Sequence, residues 1–450
     1  MALGAGYRSA NDLINMKTGL IGREIFVDEE LYQQEQERVF ARCWLFIGLE
    51  DQVRKPGDYF VSRMGEESVI LSRDRDNTIH VFLNSCRHRG MKVCRYDEGN
   101  TPVFTCPYHG WSYAGDGSLV GVPRYKDAYR EELDKSQWGL VEVAQLANYK
   151  GTIWATWDPK APSFDEYIGD MKPYLEMFYD KPDGTEADLE VIPGVLKWLT
   201  PHNWKFGSEN FIGDNYHGRP SHRSVDLLTI SPSGQQGRHI QDNVPRTPNL
   251  SFNLTHHGSG RRSSLALTDI PYTPTYPNNP AVEEYFRQSH ENREKLLGER
   301  ARLRGGGGTI FPNGTTGTGQ QTMAVWHPNG ADSTEVWRFY FLQRDAPQEV
   351  KDLLRHYIIR YGGPAGMTEE DDMENWNYAH KASKGVIARR YPYNYAIGVG
   401  HETRSGSMPG IMEGGTIDEV NVSELNQRGQ YKMWAELMDD KSWDEVLRSI

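Results

Sequence analysis

Two short stretches, each holding one cysteine and one histidine, constrain this chain more than anything else in it. The first reads Cys86-Arg-His88-Arg-Gly90 and the second Cys106-Pro107-Tyr-His109-Gly110-Trp111. Two thiolates on one iron and two imidazoles on the other are the ligand set of one type of [2Fe–2S] cluster, whose potential lies above that of an all-cysteine cluster. Gly90, Pro107 and Gly110 suit loops that turn tightly around an inorganic core. A zinc site of two cysteines and two histidines favours Cys-x2-4-Cys and His-x3-5-His spacing. Each pair here mixes the two residue types, so zinc is the weaker reading.

The 450 residues suffice for two to three domains. A net charge of −12 argues against nucleic acid and anionic membrane surfaces as partners. No apolar run reaches the roughly 18 residues of a transmembrane helix. The first residues, Met1-Ala-Leu-Gly-Ala-Gly-Tyr-Arg8, lack a signal peptide's apolar core. A cytoplasmic protein is expected. Four cysteines in this length make no disulfide framework. Two are assigned to the cluster, and Cys43 and Cys94 read as small buried residues.

Residues 1–42 read as mostly helical, with Asp28 capping an amphipathic helix through Leu31, Tyr32, Val39 and Phe40. From Cys43 the texture becomes short alternating runs at 59–63, 68–72, 79–84, 103–105 and 151–157, divided by turn chemistry at 55–58 and 115–118. Both cluster loops lie inside this stretch. Beyond it, Phe164–Tyr179 reads as helix, 185–206 as strand, and a helix starts at Asn203. Residues 231–262 read as loop with strand fragments, 279–304 as a charged helix, and Arg304-Gly-Gly-Gly-Gly308 as a break. Strands are expected over 309–345, helices over 348–361 and after Gly362-Gly-Pro364, and a terminal helix over 430–447. The fold class is α+β, with a small antiparallel β domain over 43–160 and a larger domain from 1–42 and 161–450.

A second metal site is suggested by Glu209-Asn210-Phe-Ile-Gly-Asp214-Asn-Tyr-His217-Gly218-Arg219-Pro220-Ser-His222. Two histidines and a distant carboxylate form the facial triad of non-haem Fe(II), which leaves positions open for oxygen and substrate. Asp214 and His217 are three apart and share a face on a helix, so the carboxylate can orient the ring through its second nitrogen. His217 and His222 stand roughly 140° apart on a regular helix, and Gly218 and Pro220 between them imply an irregular one. Taken alone, two such histidines are more often structural. A third ligand has to come from elsewhere. The acids Glu369-Glu370-Asp371-Asp372 open a helix, where Glu369 and Glu370 read as complements to its dipole. The residues alone do not choose between Asp371 and Asp372.

Cys-x-His, seventeen residues, Cys-x-x-His, then about a hundred residues later Asn-Phe-x-Gly-Asp-x-Tyr-His-x4-His resembles the α subunits of bacterial Rieske non-haem iron aromatic-ring-hydroxylating dioxygenases, the naphthalene, biphenyl and phthalate dioxygenase group. The resemblance extends to Thr309-Ile-Phe-Pro-Asn313, Thr334-Glu-Val-Trp337 and the terminal Asn426-Gln-Arg-Gly-Gln-Tyr-Lys-Met-Trp434, a pattern typical of members with a small β subunit. It implies that the small domain is a Rieske domain with ligands Cys86, His88, Cys106 and His109. It also implies a catalytic domain, an antiparallel sheet flanked by helices, whose iron ligands are His217, His222 and Asp372. Asp214 would link His217 to the neighbouring subunit's cluster ligand in an α3β3 ring, and Asn210 matches an asparagine near the iron. NADH would act indirectly, through a flavin reductase and a ferredoxin. Both atoms of O2 would add to one face of an aromatic double bond, giving a cis-dihydrodiol.

The chain departs from hydrocarbon-oxidising members in its expected pocket. Gly317 and Gly218 imply room, and Thr316, Gln320 and Gln321 a more polar wall. Arg219 and Arg223 flank the iron motif and suit a bidentate grip on a carboxylate, unless they face solvent or an interface. The substrate is therefore expected to be a bulky aromatic hydrocarbon or an aromatic carboxylate such as phthalate. The same parts allow a monooxygenase or demethylase. A pure Rieske electron carrier would need only the small domain and leaves the second iron motif without purpose.

Overall fold

Strand alternation and turn glycines build the smaller of two units. The computed structural model of the chain describes residues 9–222, 249–272, 274, 276, 278–317, 321–404 and 414–449. It divides into Phe40–Phe164 and a larger unit of Met1–Val39 with Asp165–Ile450. In the smaller unit one antiparallel sheet runs in the order Ile79–Leu83, Glu67–Arg73, Asp58–Met64, Glu98–Asn100. A second joins Gln145–Tyr149, Thr152–Thr156 and Leu45–Leu49, the last two buried along their whole length. A third, of Leu119–Gly121, Ser112–Ala114 and Val103–Thr105, carries one cluster loop. The turns at 55–58 and 115–118 close through Gly57 and Gly117 at φ of +88° and +80°, a region that favours glycine. Cys86, Cys106, Phe104, Trp111 and Tyr113 share one buried cluster, so both loops are rooted in the core. Cys43 and Cys94 are buried as well.

The larger unit is organised on a ten-stranded antiparallel sheet, counted among the described residues. Its path runs from Leu189–Val191 through Thr334–Gln343, Thr322–Pro328, Gly314–Gly317, Leu303–Ile310, Ser259–Ala266 and Asn249–His256 to two short strands near the C-terminus. Helices Trp204–Phe211, Pro280–Leu297, Gln348–Tyr361, Glu369–Ser383 and Leu425–Met438 accompany it. No helix among the described residues is long and apolar enough to cross a membrane.

Four sequence expectations change. The glycine run after Arg304 is no break but part of the strand Leu303–Ile310. Close backbone approach favours glycine at one of these positions: a Cβ on Gly308 would stand 3.0 Å from the Gly260 carbonyl oxygen. Within 231–262, the described part is no loop but a regular hairpin of Asn249–His256 with Ser259–Ala266, while 231–248 lies outside the described residues. The N-terminal segment is less helical than its composition implies. It holds 3-10 turns and two-residue strands before the helix Glu29–Glu35, whose cap Asp28 accepts from the Glu30 and Leu31 N–H groups. Finally, the helix expected over 164–179 is interrupted at Gly169, which takes φ +43°.

The helix Trp204–Phe211 is fixed from every side. Asn203 caps it, accepting from the Lys205 N–H. Glu35, fully buried, accepts from the indoles of Trp204 and Trp434 at 2.8 and 2.7 Å and pairs with Lys205. Gly207 lies against the Trp326 ring, where a Cβ would come within 2.2 Å. Ser208 donates to the Pro312 carbonyl, and Thr309 donates to that of Ser208. The terminal motif closes the other side within this same chain: Asn426 and Gln427 donate to the Ile212 and Glu209 carbonyls.

Candidate active site

The two cluster loops are built alike. Gly90 donates to the Cys86 carbonyl at 2.8 Å and Gly110 to the Cys106 carbonyl at 3.0 Å. Cys86 and Cys106 in turn donate to the carbonyls of Met91 and Trp111. Both glycines take positive φ, +72° and +75°, which lets each loop fold back on its cysteine. The His88 and His109 rings lie 4.5 Å apart between centroids, and His88 stacks on Trp111. Burial, followed by the neighbouring His109 and Arg89, holds His88 below its ordinary pKa, in the neutral form that binds metal. Its Nδ1 is buried without a hydrogen-bond partner, as expected of an atom reserved for iron. Tyr113 places its hydroxyl 3.3 Å from the Cys86 sulfur.

The second site begins where the helix Trp204–Phe211 ends. Gly213 reverses the chain at φ +150°, where a Cβ would meet the Asn426 amide at 2.6 Å. Asp214 follows, and its Oδ1 accepts from the Tyr216 and His217 N–H groups. A single helical turn, Gly218–Ser221, separates His217 from His222 and lets the rings converge, 5.2 Å apart at 81°. Asp372 arrives in the first turn of the helix Glu369–Ser383. Its Oδ1 stands 3.3 Å from His217 Nε2 and 3.2 Å from His222 Nε2. One ligand atom from each of the three residues lies within 4.8 Å of the others. The Asp372 oxygen is buried and makes no aligned hydrogen bond, so the arrangement fits a cation better than it fits hydrogen bonding.

Electrostatics point the same way. Burial alone would pull His217 down and push Asp214 and Asp372 up, but their proximity reverses each shift. His217 is pushed up to about 9, and both carboxyls lie below their usual range. A bound cation displaces such protons and takes over their electrostatic role. Asp214 Oδ2 holds His217 Nδ1 at 3.1 Å in a close ionic contact rather than an aligned hydrogen bond.

Several roles were not assigned from sequence. Asp371 is no alternative to Asp372: its Oδ2 lies 3.2 Å from His222 Nδ1, on the far side of the ring from the metal position. Glu369 does more than complement a helix dipole, since it is buried and accepts from Arg338 at 2.7 Å. Arg262 and Asn215 line the cavity with His217, His222 and Asp372. Strand alternation was the available signal for Arg262, because adjacent arginines at 261 and 262 must face opposite sides. Glu209 is buried and held by the hydroxyls of Tyr395 and Tyr431. Burial pushes it up to about 8 against those two bonds.

Of the expected pocket residues, Asn210, Gly218 and Gly317 line the cavity. Thr316 does not belong to the described lining: it is buried and donates to the Gly308 carbonyl across the sheet. Arg223 and Gln320 lie outside the described residues, as does the Arg219 side chain.

Family comparison accounts for both centres. Residues 43–146 match the Rieske [2Fe-2S] domain, and residues 176–439 match the ring hydroxylating alpha subunit catalytic domain. The chain is a ring-hydroxylating dioxygenase α subunit. Biphenyl 2,3-dioxygenase subunit alpha of Rhodococcus jostii strain RHA1 is 38% identical, the match covering 96% of this chain and 92% of that protein. Benzene 1,2-dioxygenase subunit alpha of Pseudomonas putida is 37% identical, covering 96% and 94%. A naphthalene 1,2-dioxygenase variant crystallised with phenanthrene superposes with a TM-score of 0.86 at 31% identity, covering 98% of this chain and 97% of that one. This α subunit is therefore an oxidoreductase with two metal cofactors, a Rieske [2Fe–2S] cluster and a mononuclear iron.

Proposed function

We propose that His217, His222 and Asp372 hold the mononuclear iron, that Cys86, His88, Cys106 and His109 hold the cluster, and that the chain cis-dihydroxylates an aromatic ring. The convergence of three ligand atoms on one face of a cavity carries this reading. The iron, when bound, supplies oxygen activation with electrons delivered through the cluster. The protein's part is positional. Asp371 and Asp214 fix the two imidazole rings from behind, and the cavity holds the ring beside the metal.

Electrons are taken to come from NADH through a flavin reductase and a ferredoxin, and the assembly to be α3β3 with a small β subunit. Asp214 is only partly buried. It thus remains accessible to a neighbouring subunit, where it would pass electrons from that subunit's His109 to its own His217. The cavity bears on substrate. The relatives' names point to aromatic hydrocarbons, including biphenyl and benzene, whereas the polar lining favours an aromatic acid. An iron and acid-labile sulfide count tests the two-centre assignment. Three irons and two sulfides per chain are expected. His222→Ala should lose one iron and keep both sulfides, and loss of sulfide with that iron would overturn the assignment.

A further inference from the structure

Arg261 is a cation at 0% exposure that meets no carboxylate among the described residues. Strand alternation sends it to the face of Ser259–Ala266 opposite Arg262, toward the helix Lys172–Tyr179. There its Nη1 donates to the Tyr174 carbonyl at 2.6 Å. Its Nε and Nη2 are buried and have no acceptor among the described residues. These two nitrogens share one edge of the planar guanidinium, with their N–H bonds side by side. The unmatched donors therefore form a single two-pronged edge, of the kind that grips an anion. Burial pushes the group down to about 10, which still leaves it charged at neutral pH.

The described surroundings hold further donors and no counter-charge. The Tyr174 hydroxyl is buried without a partner, and it lies close enough for the guanidinium to act on its ionisation. Ser263, two residues on and on the same face, buries another hydroxyl without a partner. A nearby carboxylate, Asp170, instead faces His256 at 3.5 Å. Across the sheet, the strand Leu303–Ile310 presents glycine at each of 305–308. Its register shifts between the Arg261–Gly308 and Ser263–Gly305 pairs. The bulge adds a residue there but no side chain to cover the guanidinium edge. Buried donors in native proteins are matched by protein, water or ion, and a buried charge by another charge. We infer that this part of the core binds a small monovalent anion of the size of chloride, gripped by Arg261 Nε and Nη2 with the Tyr174 hydroxyl as a further donor. A single-atom anion accepts several hydrogen bonds at once and needs the least room of any counter-charge. The same strand carries Arg262 to the iron cavity, so the anion steadies one wall of that cavity from behind.

The test uses the iron-loaded complex of this chain with its β subunit. Melting temperature is followed as chloride, and separately bromide, replaces methanesulfonate at constant pH and ionic strength. Crystals grown in bromide are measured at the bromine absorption edge. Melting temperature should rise by about 2–4 °C and then saturate, as for a ligand that binds only the folded state. An anomalous peak should stand within hydrogen-bonding distance of Arg261 Nε and Nη2. Arg261→Met should abolish the halide response, yet melt in methanesulfonate no lower than wild type, because an apolar chain in place of an unmatched charge is neutral or stabilising. Tyr174→Phe should raise the halide concentration at half effect about 2- to 10-fold, the loss of one hydrogen bond. No halide response and no peak, with water or a protein carboxylate at the guanidinium edge, overturns the inference. A peak without a response in solution is binding at crystal concentration only and overturns it as well. A response without a peak at Arg261, or one that persists in Arg261→Met, places the anion elsewhere and does the same. Should Arg261→Met fail to fold, the wild-type response and peak decide it alone.

Discussion

His222 is held from both sides, by Asp372 at Nε2 and by Asp371 at Nδ1, each at 3.2 Å. Adjacent acids on one helical turn thus take different tasks. Partners behind a ligating imidazole fix its tautomer and orientation, and their loss costs about 10- to 100-fold in metal affinity. Asp371→Asn should therefore lose iron to a chelator at about 10- to 100-fold lower chelator concentration, with cluster absorbance unchanged. Iron retention equal to wild type would show that Asp371 does not orient the ring. The ligand types were legible in the sequence because thiolates, imidazoles and carboxylates at these spacings have few other uses. The residues by themselves did not separate Asp371 from Asp372, since both lie in the same first turn and only the position of His222 distinguishes them; the family resemblance was what pointed to Asp372.

At the scale of elements, the helix Trp204–Phe211 leads into the segment that carries His217 and His222. Its start at Asn203 was legible, and in the structure that residue is its cap. Its contact with the sheet was not, because Gly207 acquires meaning only from Trp326, a residue more than a hundred positions away. The glycine run before Thr309 misled for the same reason, as a strand flattened for close approach looks like a break in sequence. Gly207→Ala should cost about 1–3 kcal/mol by overpacking. Asn203→Ala should cost about 1 kcal/mol through the lost cap. Chemical denaturation of both variants checks this, and a Gly207→Ala midpoint equal to wild type would mean the helix does not bear on Trp326.

For the whole molecule, buried titrating groups set a pH window. Burial pushes His202, His256 and His257 down to about 4 from an ordinary 6.5. The native state thus refuses protons that the unfolded chain accepts, and the stability present above pH 6.5 is lost as pH falls toward 4. Glu209 behaves oppositely. Its raised value of about 8, against an ordinary 4.5, gives stability that is complete below pH 4.5 and lost as pH rises through 8. Melting temperature should therefore peak near pH 6.5, and Glu209→Gln should flatten the alkaline side. An alkaline decline unchanged in Glu209→Gln would assign it to other groups. The two-domain organisation and both metal motifs were readable from one sequence, whereas the place of Arg262 and Asn215 on the cavity wall emerged only once a strand from 259–266 met the loop after Gly213. The central claim, that this chain adds both atoms of O2 to an aromatic ring, is tested most directly by a single turnover of the chemically reduced, iron-loaded complex under ¹⁸O2 with benzoate and with biphenyl. The expected result is a cis-diol carrying two ¹⁸O atoms, absent in Asp372→Ala. A product with one ¹⁸O atom, or a diol still formed by Asp372→Ala, would contradict it.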